Sequence, residues 1–195
     1  MQGLALALAL LSLAVPARAQ DGGLRSFDEL KTLGDRAAIS RALFEEIGKV
    51  LGHPRCTNCH SVDGLPRRGE TGRPHVPAVK RGPDGKGIAA MRCRSCHGRR
   101  NYEAIGMPGA ENWAAAEPDM QLADRPLGEI CRQWKDPART GGKDLKQIVA
   151  HFADDPLIAW AWAPGGKRST PASSQEELTR YVQAWVDTGA VCPEE

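Results

Sequence analysis

Two short segments of this chain carry the residue types best suited to binding chemistry. Each has the form C-x-x-C-H, first as Cys56-Thr57-Asn58-Cys59-His60 and again as Cys93-Arg94-Ser95-Cys96-His97. This pattern is typical of covalent attachment of a c-type haem. Two cysteines three positions apart can reach the two vinyl groups of one porphyrin, and the histidine that follows presents an imidazole nitrogen to the iron. The sequence therefore predicts two haem groups, with His60 and His97 as iron ligands.

The same cysteines would suit two other structures. Paired C-x-x-C units supply four thiolates to a structural zinc ion, but that arrangement leaves His60 and His97 without a use. A disulfide within each motif, such as Cys56–Cys59, would be strained and reducible, and such pairs are usually redox-catalytic. Two copies of the complete motif favour haem over both alternatives.

Each iron also needs a ligand, or an open position, on its other face. Five side chains compete for these two distal places: His53, His75, Met107, Met120 and His151. His75 is the first choice for one haem because two prolines restrict the backbone around it. Met120 is the first choice for the other, His53 and Met107 are alternatives, and His151 ranks last because it lies on an ordinary amphipathic helix. The choice matters because methionine raises the haem potential, whereas an open position would permit peroxide chemistry.

Two cysteines lie outside the haem motifs, Cys131 and Cys192. In an oxidising compartment we expect them to form a disulfide. It would close a loop of about 60 residues and stabilise the fold by roughly 4 kcal/mol in the chain-entropy estimate. Two free buried thiols are the alternative.

The N-terminus has the composition of an export signal. Leu4 to Val15 is an almost continuous run of Leu and Ala that is too short to span a bilayer, and Ala17-Arg18-Ala19 supplies small residues before a cleavage site. We therefore expect a signal peptide over residues 1–19 and one periplasmic dihaem domain over residues 20–195. The segment departs from the usual pattern in lacking a basic residue after Met1, and an uncleaved anchor is the alternative. No later segment is apolar enough to cross a membrane.

The hydrophobic pattern of the mature chain predicts a mostly α fold. Apolar residues recur at three- and four-residue steps in four segments: 39–51, 126–135, 144–152 and a C-terminal helix that begins at Ser174. Residues 64–87 carry four prolines and six glycines, which predicts a long loop. We expect helices and long Pro/Gly-rich loops wrapped around two covalently bound haems, with little or no sheet. The macrocycles would replace the core that an aromatic content of 5% cannot supply.

Charge is unevenly distributed, although 26 Lys and Arg nearly balance 24 Asp and Glu overall. Residues 55–100 contain eleven Lys and Arg but only Asp63, Glu70 and Asp84 as acids. One interpretation is a basic docking face around the haem edges that steers an acidic redox partner. The other is ordinary solvated surface with some propionate pairing. Nucleic acid is not an expected partner, because no aromatic stacking residues interleave with these charges.

Taken together, these residues resemble the c-type cytochromes, and specifically small exported dihaem proteins. Six segments are also similar to a family of periplasmic cytochromes often labelled isoquinoline 1-oxidoreductase subunits: His53-Pro54-Arg55-Cys56, Arg73-Pro74-His75, Lys80-Arg81-Gly82, Cys93 to Gly98, Gly128-Glu129-Ile130-Cys131 and Asp155-Pro156-Leu157. The similarity covers about residues 53–192 and implies electron acceptance from a molybdenum hydroxylase or another dehydrogenase. In that family the tryptophan of an Asn-Trp segment is often followed by histidine, whereas Ala114 follows Trp113 here.

Three functional classes remain. The leading hypothesis is an electron carrier, not itself an enzyme, in which two irons pass single electrons from a partner enzyme towards the respiratory chain. A peroxidase-like dihaem enzyme would need one five-coordinate iron and a polar distal pocket, and the chain is short for two separate haem domains. A haem-containing sensor or a subunit of a larger complex is the third class. Phosphate-binding and dinucleotide-binding loops are not present in a convincing context.

Overall fold

The computed structural model describes residues 23–194, so the predicted signal peptide over residues 1–19 lies outside the described residues. Within that range the chain forms seven α-helices: α1 Phe27–Lys31, α2 Arg36–Leu51, α3 Pro54–Thr57, α4 Leu127–Trp134, α5 Leu145–Asp154, α6 Pro156–Trp160 and α7 Gln175–Asp187. Two 3₁₀ turns cover Cys93–Ser95 and Glu103–Ile105. The predicted mostly α fold is confirmed at this level. No helix within the described range is long and apolar enough to cross a membrane.

Side-chain caps define where the longer helices begin. α2 follows Asp35, whose carboxylate accepts a hydrogen bond from the Ala38 amide at 2.8 Å. α5 follows Asp144, and α7 follows Ser174, whose hydroxyl accepts from the Glu177 amide at 3.0 Å. Such caps satisfy amides that the first helical turn leaves without a backbone partner. The helix starts predicted at Asp144 and Ser174 are therefore confirmed.

The hydrophobic core lies where α2 packs against α7, with α5 packed on the same helix. Phe44, from the predicted apolar stripe of α2, is completely buried, and its ring centroid lies 4.9 Å from that of Trp185 on α7. Trp134 of α4 completes the cluster, with its ring 5.3 Å from Phe44. Each such ring buries about 150–250 Å² of surface, so this cluster anchors the helices to one another.

A disulfide joins Cys131 of α4 to Cys192, which follows α7. The predicted pairing is confirmed, and the alternative of two free thiols is wrong. The bond connects the last segment of the chain to the middle of the helical core, since Cys131 is completely buried.

The long loop predicted between the two motifs contains two small antiparallel hairpins. The first pairs β1 (Arg67–Arg68) with β2 (Arg73–Pro74), and the second pairs β3 (Gly87–Ile88) with β4 (Met91–Arg92). Gly87 has a φ of +86°, and a Cβ there would lie 2.3 Å from the carbonyl oxygen of Met91. Only glycine suits that position. The second hairpin leads directly into the second C-x-x-C-H motif.

Candidate haem sites

The first motif follows α2 and is carried by α3. His53 caps α3, since its Nδ1 accepts a hydrogen bond from the Arg55 amide at 3.2 Å. Pro54 occupies the first helical position, where its missing N–H costs nothing. The turn continues beyond α3, because the amide of His60 donates to the carbonyl of Cys56 at 3.0 Å. This local winding brings both motif cysteines and the histidine to one cleft.

The imidazole of His60 is oriented by the main chain. Its Nδ1 lies 2.5 Å from the carbonyl oxygen of Met120, and the amides of Leu122 and Ala123 donate to the carbonyl of His60 at 2.9 and 3.2 Å. Burial lowers the pKa of His60 to about 4, with the Met120 hydrogen bond opposing this shift and the charge of His151 adding to it. The ring is therefore neutral at pH 7, with its proton on Nδ1 and its lone pair on Nε2. That is the form in which histidine binds a metal.

The first cleft has about 1270 Å³ free of protein atoms, its open mouth included. Apolar side chains form much of its wall: Leu51, Trp134, Ile148, Phe152, Ile158 and Trp162. Burial raises the pKa of the Cys56 thiol to about 12 and that of Cys59 to about 11, so both thiols are neutral at pH 7. A large apolar ligand suits such a wall, because burying apolar surface is favourable by about 25 cal/mol per Å².

One buried cation in the cleft wall has an unsatisfied N–H group. The side chain of Arg55 is 3% exposed and its Nη2 donates to the Glu70 carboxylate, but its Nε has no hydrogen-bond partner among the described residues. A buried N–H without a partner costs about 1–3 kcal/mol. The position therefore favours a ligand that carries an anionic oxygen. Porphyrin propionates are carboxylates, so the residues present fit a haem in this cleft.

The second motif has the same local geometry on a different scaffold. Strand β4 runs into the 3₁₀ turn, and the amide of His97 donates to the carbonyl of Cys93 at 2.9 Å, as in the first motif. The Nδ1 of His97 lies 2.8 Å from the carbonyl oxygen of Pro108. Burial lowers the pKa of His97, and the Pro108 hydrogen bond only partly opposes this shift. This ring is also neutral at pH 7, with its lone pair on Nε2.

A tight backbone crossing holds Pro108 against His97. Tyr102 and Met107 pair through two backbone hydrogen bonds of 2.8 and 3.1 Å, which turn the chain back towards the motif. Gly109 then passes so close to the preceding segment that a Cβ there would lie 2.5 Å from the carbonyl oxygen of Arg100. Glycine is required at this crossing because any side chain would push the two backbone segments apart.

Two aromatic rings flank His97. The indole of Trp113 stacks on it, with centroids 4.6 Å apart and planes 8° apart, while the ring of His75 lies at 5.9 Å. Two imidazoles that bind one metal from opposite sides have centroids about 6 Å apart, since each metal–nitrogen bond is about 2 Å. The Nδ1 of His75 lies 2.8 Å from the carbonyl oxygen of Pro77. The distal candidate preferred from the sequence is therefore a neighbour of the second motif.

Both methionine candidates lie beside the carbonyl that holds a motif histidine. Met120 itself supplies the carbonyl bound to His60, and Met107 immediately precedes Pro108, whose carbonyl faces His97. Their main chains are thus on the Nδ1 side of these rings. Sulfur ligation by either residue stays a prediction.

The two remaining histidine candidates differ in their hydrogen bonds. His53 uses both ring nitrogens within the protein, Nδ1 as the cap of α3 and Nε2 at 3.1 Å from the hydroxyl of Ser169. His151 lies in the wall of the first cleft, and its Nδ1 is 3.0 Å from Oδ2 of Asp155. His151, which ranked last from the sequence, therefore shares a cleft with the first motif.

All four motif cysteines are free thiols, so neither motif contains an internal disulfide. Within residues 23–194, no group of three or more Cys, His, Asp or Glu side chains is arranged to hold a metal ion.

Asn101 and two tryptophans connect the two sites. Its side-chain amide donates to the carbonyl of Pro164 at 2.9 Å, and its oxygen accepts from the Trp160 indole and the Gly109 amide, both at 2.9 Å. Trp160 lines the first cleft and meets Trp113 edge to face, with centroids 4.9 Å apart. Aromatic contacts therefore run from the first cleft to the ring of His97.

The basic residues of segment 55–100 fall into two groups. Five form ion pairs with carboxylates: Arg55, Arg67, Arg81, Arg92 and Arg99. The other six are exposed and form no ion pair within the described part of the chain: Arg68, Arg73, Lys80, Lys86, Arg94 and Arg100. The same segment exposes the apolar side chains of Val76, Ile88 and Met91. We call this surface, formed by residues 68–100, the basic face.

Sequence reasoning missed three residues that shape these sites: Arg55, Asn101 and Trp113. Arg55 immediately precedes Cys56, so its place beside the first motif could have indicated that it lines the same cleft. The roles of Asn101 and Trp113 depend on contacts with distant segments, such as the bond from Asn101 to Pro164 across 63 positions. No local pattern marks them.

No protein family, curated protein or solved structure matches this chain. Its function is therefore inferred from the geometry of its own residues.

Proposed function

We propose that this chain is a dihaem c-type cytochrome that passes single electrons from a partner dehydrogenase towards the respiratory chain. One observation carries the proposal: in both C-x-x-C-H motifs the histidine Nδ1 faces a backbone carbonyl, and both cysteines are free thiols. When bound, each haem supplies an iron that accepts and releases one electron. Cys56 and Cys59 would hold one haem by thioether bonds, and Cys93 and Cys96 would hold the other.

The main chain prepares both motif histidines for ligation. A carbonyl that accepts the Nδ1 proton fixes the tautomer and the orientation of the ring, and it makes Nε2 a better donor. Because burial lowers the pKa of both His60 and His97, neither ring uses its lone pair to hold a proton at pH 7. Both imidazoles can then bind iron without rearrangement.

For the iron held by His97 we assign the distal position to His75. The separation of 5.9 Å between these two rings supports the assignment. The Nδ1 of His75 also faces a carbonyl, that of Pro77, which leaves its lone pair on Nε2. The prolines around His75 restrict the backbone and reduce the entropy lost when the ring is held in place.

A two-iron carrier needs its irons close enough for an electron to move between them. Trp113, stacked on His97, and Trp160, in the wall of the first cleft, contact each other between the motifs. These contacts support direct electron exchange between the two sites.

The basic face supports an acidic redox partner. Six exposed cations of this surface form no ion pair within the described residues, and complementary charge raises association rates by roughly 10–10³. The resemblance noted from the sequence implies a molybdenum hydroxylase or another dehydrogenase as that partner. We propose the periplasm as the location, on the strength of the predicted signal peptide.

The first test is a visible spectrum of the purified mature protein, oxidised and dithionite-reduced, with a pyridine haemochrome assay of haem content. We expect two haems per chain. The variants Cys56→Ser/Cys59→Ser and Cys93→Ser/Cys96→Ser should each retain one haem, because each loses one pair of attachment thiols. The matched control is Cys131→Ser/Cys192→Ser, which should retain both.

The possible spectra separate the functional classes. A colourless protein would refute the proposal, and elemental analysis would then test for zinc. A persistent high-spin ferric band in the wild type would favour a peroxidase-like enzyme with an open iron position. Two low-spin haems would support the electron carrier.

A further inference from the structure

Resting on the proposed function, we infer that His151 of α5, rather than Met120, is the sixth ligand of the iron held by His60. The first haem would then have the same pair of ligand types that His97 and His75 give the second. Three features carry this inference: the position of His151, the orientation of its ring and the position of the Met120 main chain.

His151 and His60 line the same cleft. His151 projects from α5, and Ile148 and Phe152 of that helix are also part of the cleft wall. Cys56 and Cys59, the attachment thiols of the first motif, line the same cleft. The two imidazoles therefore share the space in which the first haem would be attached.

The ring of His151 is held by a fixed carboxylate. Its Nδ1 lies 3.0 Å from Oδ2 of Asp155, and Oδ1 of Asp155 accepts the Leu157 amide at 2.8 Å as the cap of α6. Both oxygens of the carboxylate are thus engaged, which leaves it little freedom to turn. A carboxylate that accepts the Nδ1 proton is a common partner of a metal-bound histidine, because it fixes the tautomer and makes Nε2 more basic.

Met120 is placed for a different role. Its carbonyl accepts the Nδ1 proton of His60, and Nδ1 and Nε2 of an imidazole point away from each other. The Met120 main chain therefore lies behind the ring, on the side away from Nε2. Met120 is 9% exposed and belongs to the buried hydrophobic cluster, and it also lines the first cleft. Because its carbonyl already holds Nδ1 of His60, whereas Asp155 orients the ring of His151 within the cleft, the sixth position is assigned to His151.

The test compares three single variants by haem content and ferric spectrum. We expect His151→Ala to keep two haems per chain but to convert one of them from low-spin to high-spin, and free imidazole should restore the low-spin form. Met120→Leu keeps the side-chain volume and should leave the spectrum unchanged. His53→Asn is the matched histidine control, because asparagine can still cap α3 and both nitrogens of the His53 ring already have partners.

A fourth variant gives a readout that does not depend on an open iron position. His151→Met should introduce a sulfur–iron charge-transfer band that the wild type lacks, and it should raise the midpoint potential of one haem. A positioning role for Asp155 predicts that Asp155→Asn leaves the iron six-coordinate but shifts the potential of the same haem.

Two results would overturn the ligand assignment while leaving the proposed function intact. One is a high-spin haem in Met120→Leu but not in His151→Ala, and the other is a sulfur–iron band already present in the wild type. A wild-type protein without haem would overturn both proposals, and the haem count separates that case from the other two.

Discussion

The two C-x-x-C-H motifs have the same internal hydrogen bonds but different surroundings. Around His60, helices and tryptophans line an apolar cleft. The second motif follows hairpins within the basic face, and its Cys96 is exposed although His97 is buried. The motif thus specifies ligand geometry locally, through one tight turn and one backbone carbonyl. The surrounding elements determine access to solvent. For the proposed carrier, the exposed Cys96 and the basic face make the second site the expected point of exchange with partner proteins.

The contrast arises from the residues on either side of each motif. Apolar stripes on α2, α5 and α7 pack together and bring the first motif into the core. Residues 64–87 have too many prolines and glycines for a long helix, so the chain before the second motif forms short turns and two-residue strands. Such turns leave little apolar surface with which to enclose a ligand.

The largest effect is expected from removing the disulfide, which stabilises the helical core beside the first motif. Cys131→Ser/Cys192→Ser should lower the free energy of unfolding by about 4 kcal/mol in the chain-entropy estimate, given a separation of 61 residues. Urea unfolding measures the change, with the wild type under reducing conditions as a second reference. Native-state spectra of both haem sites should stay as in the wild type. A destabilisation below about 1 kcal/mol would contradict the prediction.

A smaller effect, confined to the second site, is expected from Gly109→Ala. The new Cβ would lie 2.5 Å from the carbonyl oxygen of Arg100, and relieving that clash moves Pro108 away from His97, at a cost of about 2 kcal/mol. We expect the ferric spectrum of one haem to change. Gly52→Ala is the control, because that glycine has a φ of −69° and a new Cβ there would lie no nearer than 3.8 Å to the carbonyl oxygen of Gly48. An altered spectrum for the haem attached at Cys56 and Cys59 would show that the effect is not local.

Glu46→Gln tests how a buried carboxylate of α2 makes the stability of the helical core depend on pH. Glu46 is 1% exposed and is held by Lys49 and Arg25. Burial raises the pKa of Glu46, but the hydrogen bonds from Lys49 and Arg25 outweigh it and hold that pKa below its usual value. The unfolded chain therefore takes up the proton first as the pH falls below about 4.3. The stabilisation is present above that pH and is lost as the pH falls through the lower folded pKa.

The Gln variant should consequently be less stable at pH 7 by about 1 kcal/mol, and its stability should fall less steeply below pH 4. Thermal unfolding at several pH values measures both effects. Glu45→Gln is the matched control, because its pair with Arg25 at 3.2 Å is half exposed and should contribute no more than about 0.5 kcal/mol. Equal losses of stability in the two variants would contradict the prediction that the buried carboxylate contributes more than the exposed one.

The smallest effect on stability, but a specific effect on rate, is expected from reversing charge on the basic face. Lys80→Glu/Lys86→Glu should slow the oxidation of the reduced protein by ferricyanide, a small anion, while changing the free energy of unfolding by less than about 0.5 kcal/mol. The difference from wild type should shrink as salt rises, since the Debye length falls from about 10 Å at 0.1 M to about 3 Å at 1 M. Stopped-flow absorbance measures these rates. The control Lys146→Glu, on exposed α5 surface, should have a weaker effect than Lys80→Glu alone, which reverses the same number of charges, and an equal effect would count against electron exchange at the second site.

Features that depend on local pattern could be predicted from the sequence. Apolar stripes predicted α2, α5 and α7, and the capping residue Ser174 predicted where α7 begins, because helical periodicity and capping act within a few residues. The Asp35 cap of α2 was missed, because Ser40 was expected near the start of that helix. The disulfide followed by elimination, since Cys131 and Cys192 were the two cysteines without a haem motif.

Features that depend on contact between distant segments could not be predicted. The Met120 carbonyl meets His60 across 60 positions, and no local signal announces that contact. Periodicity placed His151 on a helix but did not tell which cleft the helix lines. The hairpins before the second motif have strands of two residues, which are too short for an alternating pattern to be recognised.

The hydrogen bonds of Asn101 have a consequence for local unfolding. Regions with few buried apolar contacts open at a lower free energy than the core, and the loop that orients His97 is such a region. Opening it must break the hydrogen bonds that the Trp160 indole and the Gly109 amide donate to Asn101, and Trp160 belongs to the wall of the first cleft. Fluctuations of the second site are thereby limited by its attachment to the first cleft, so the Gly109 amide should exchange its hydrogen more slowly than amides elsewhere in the same loop.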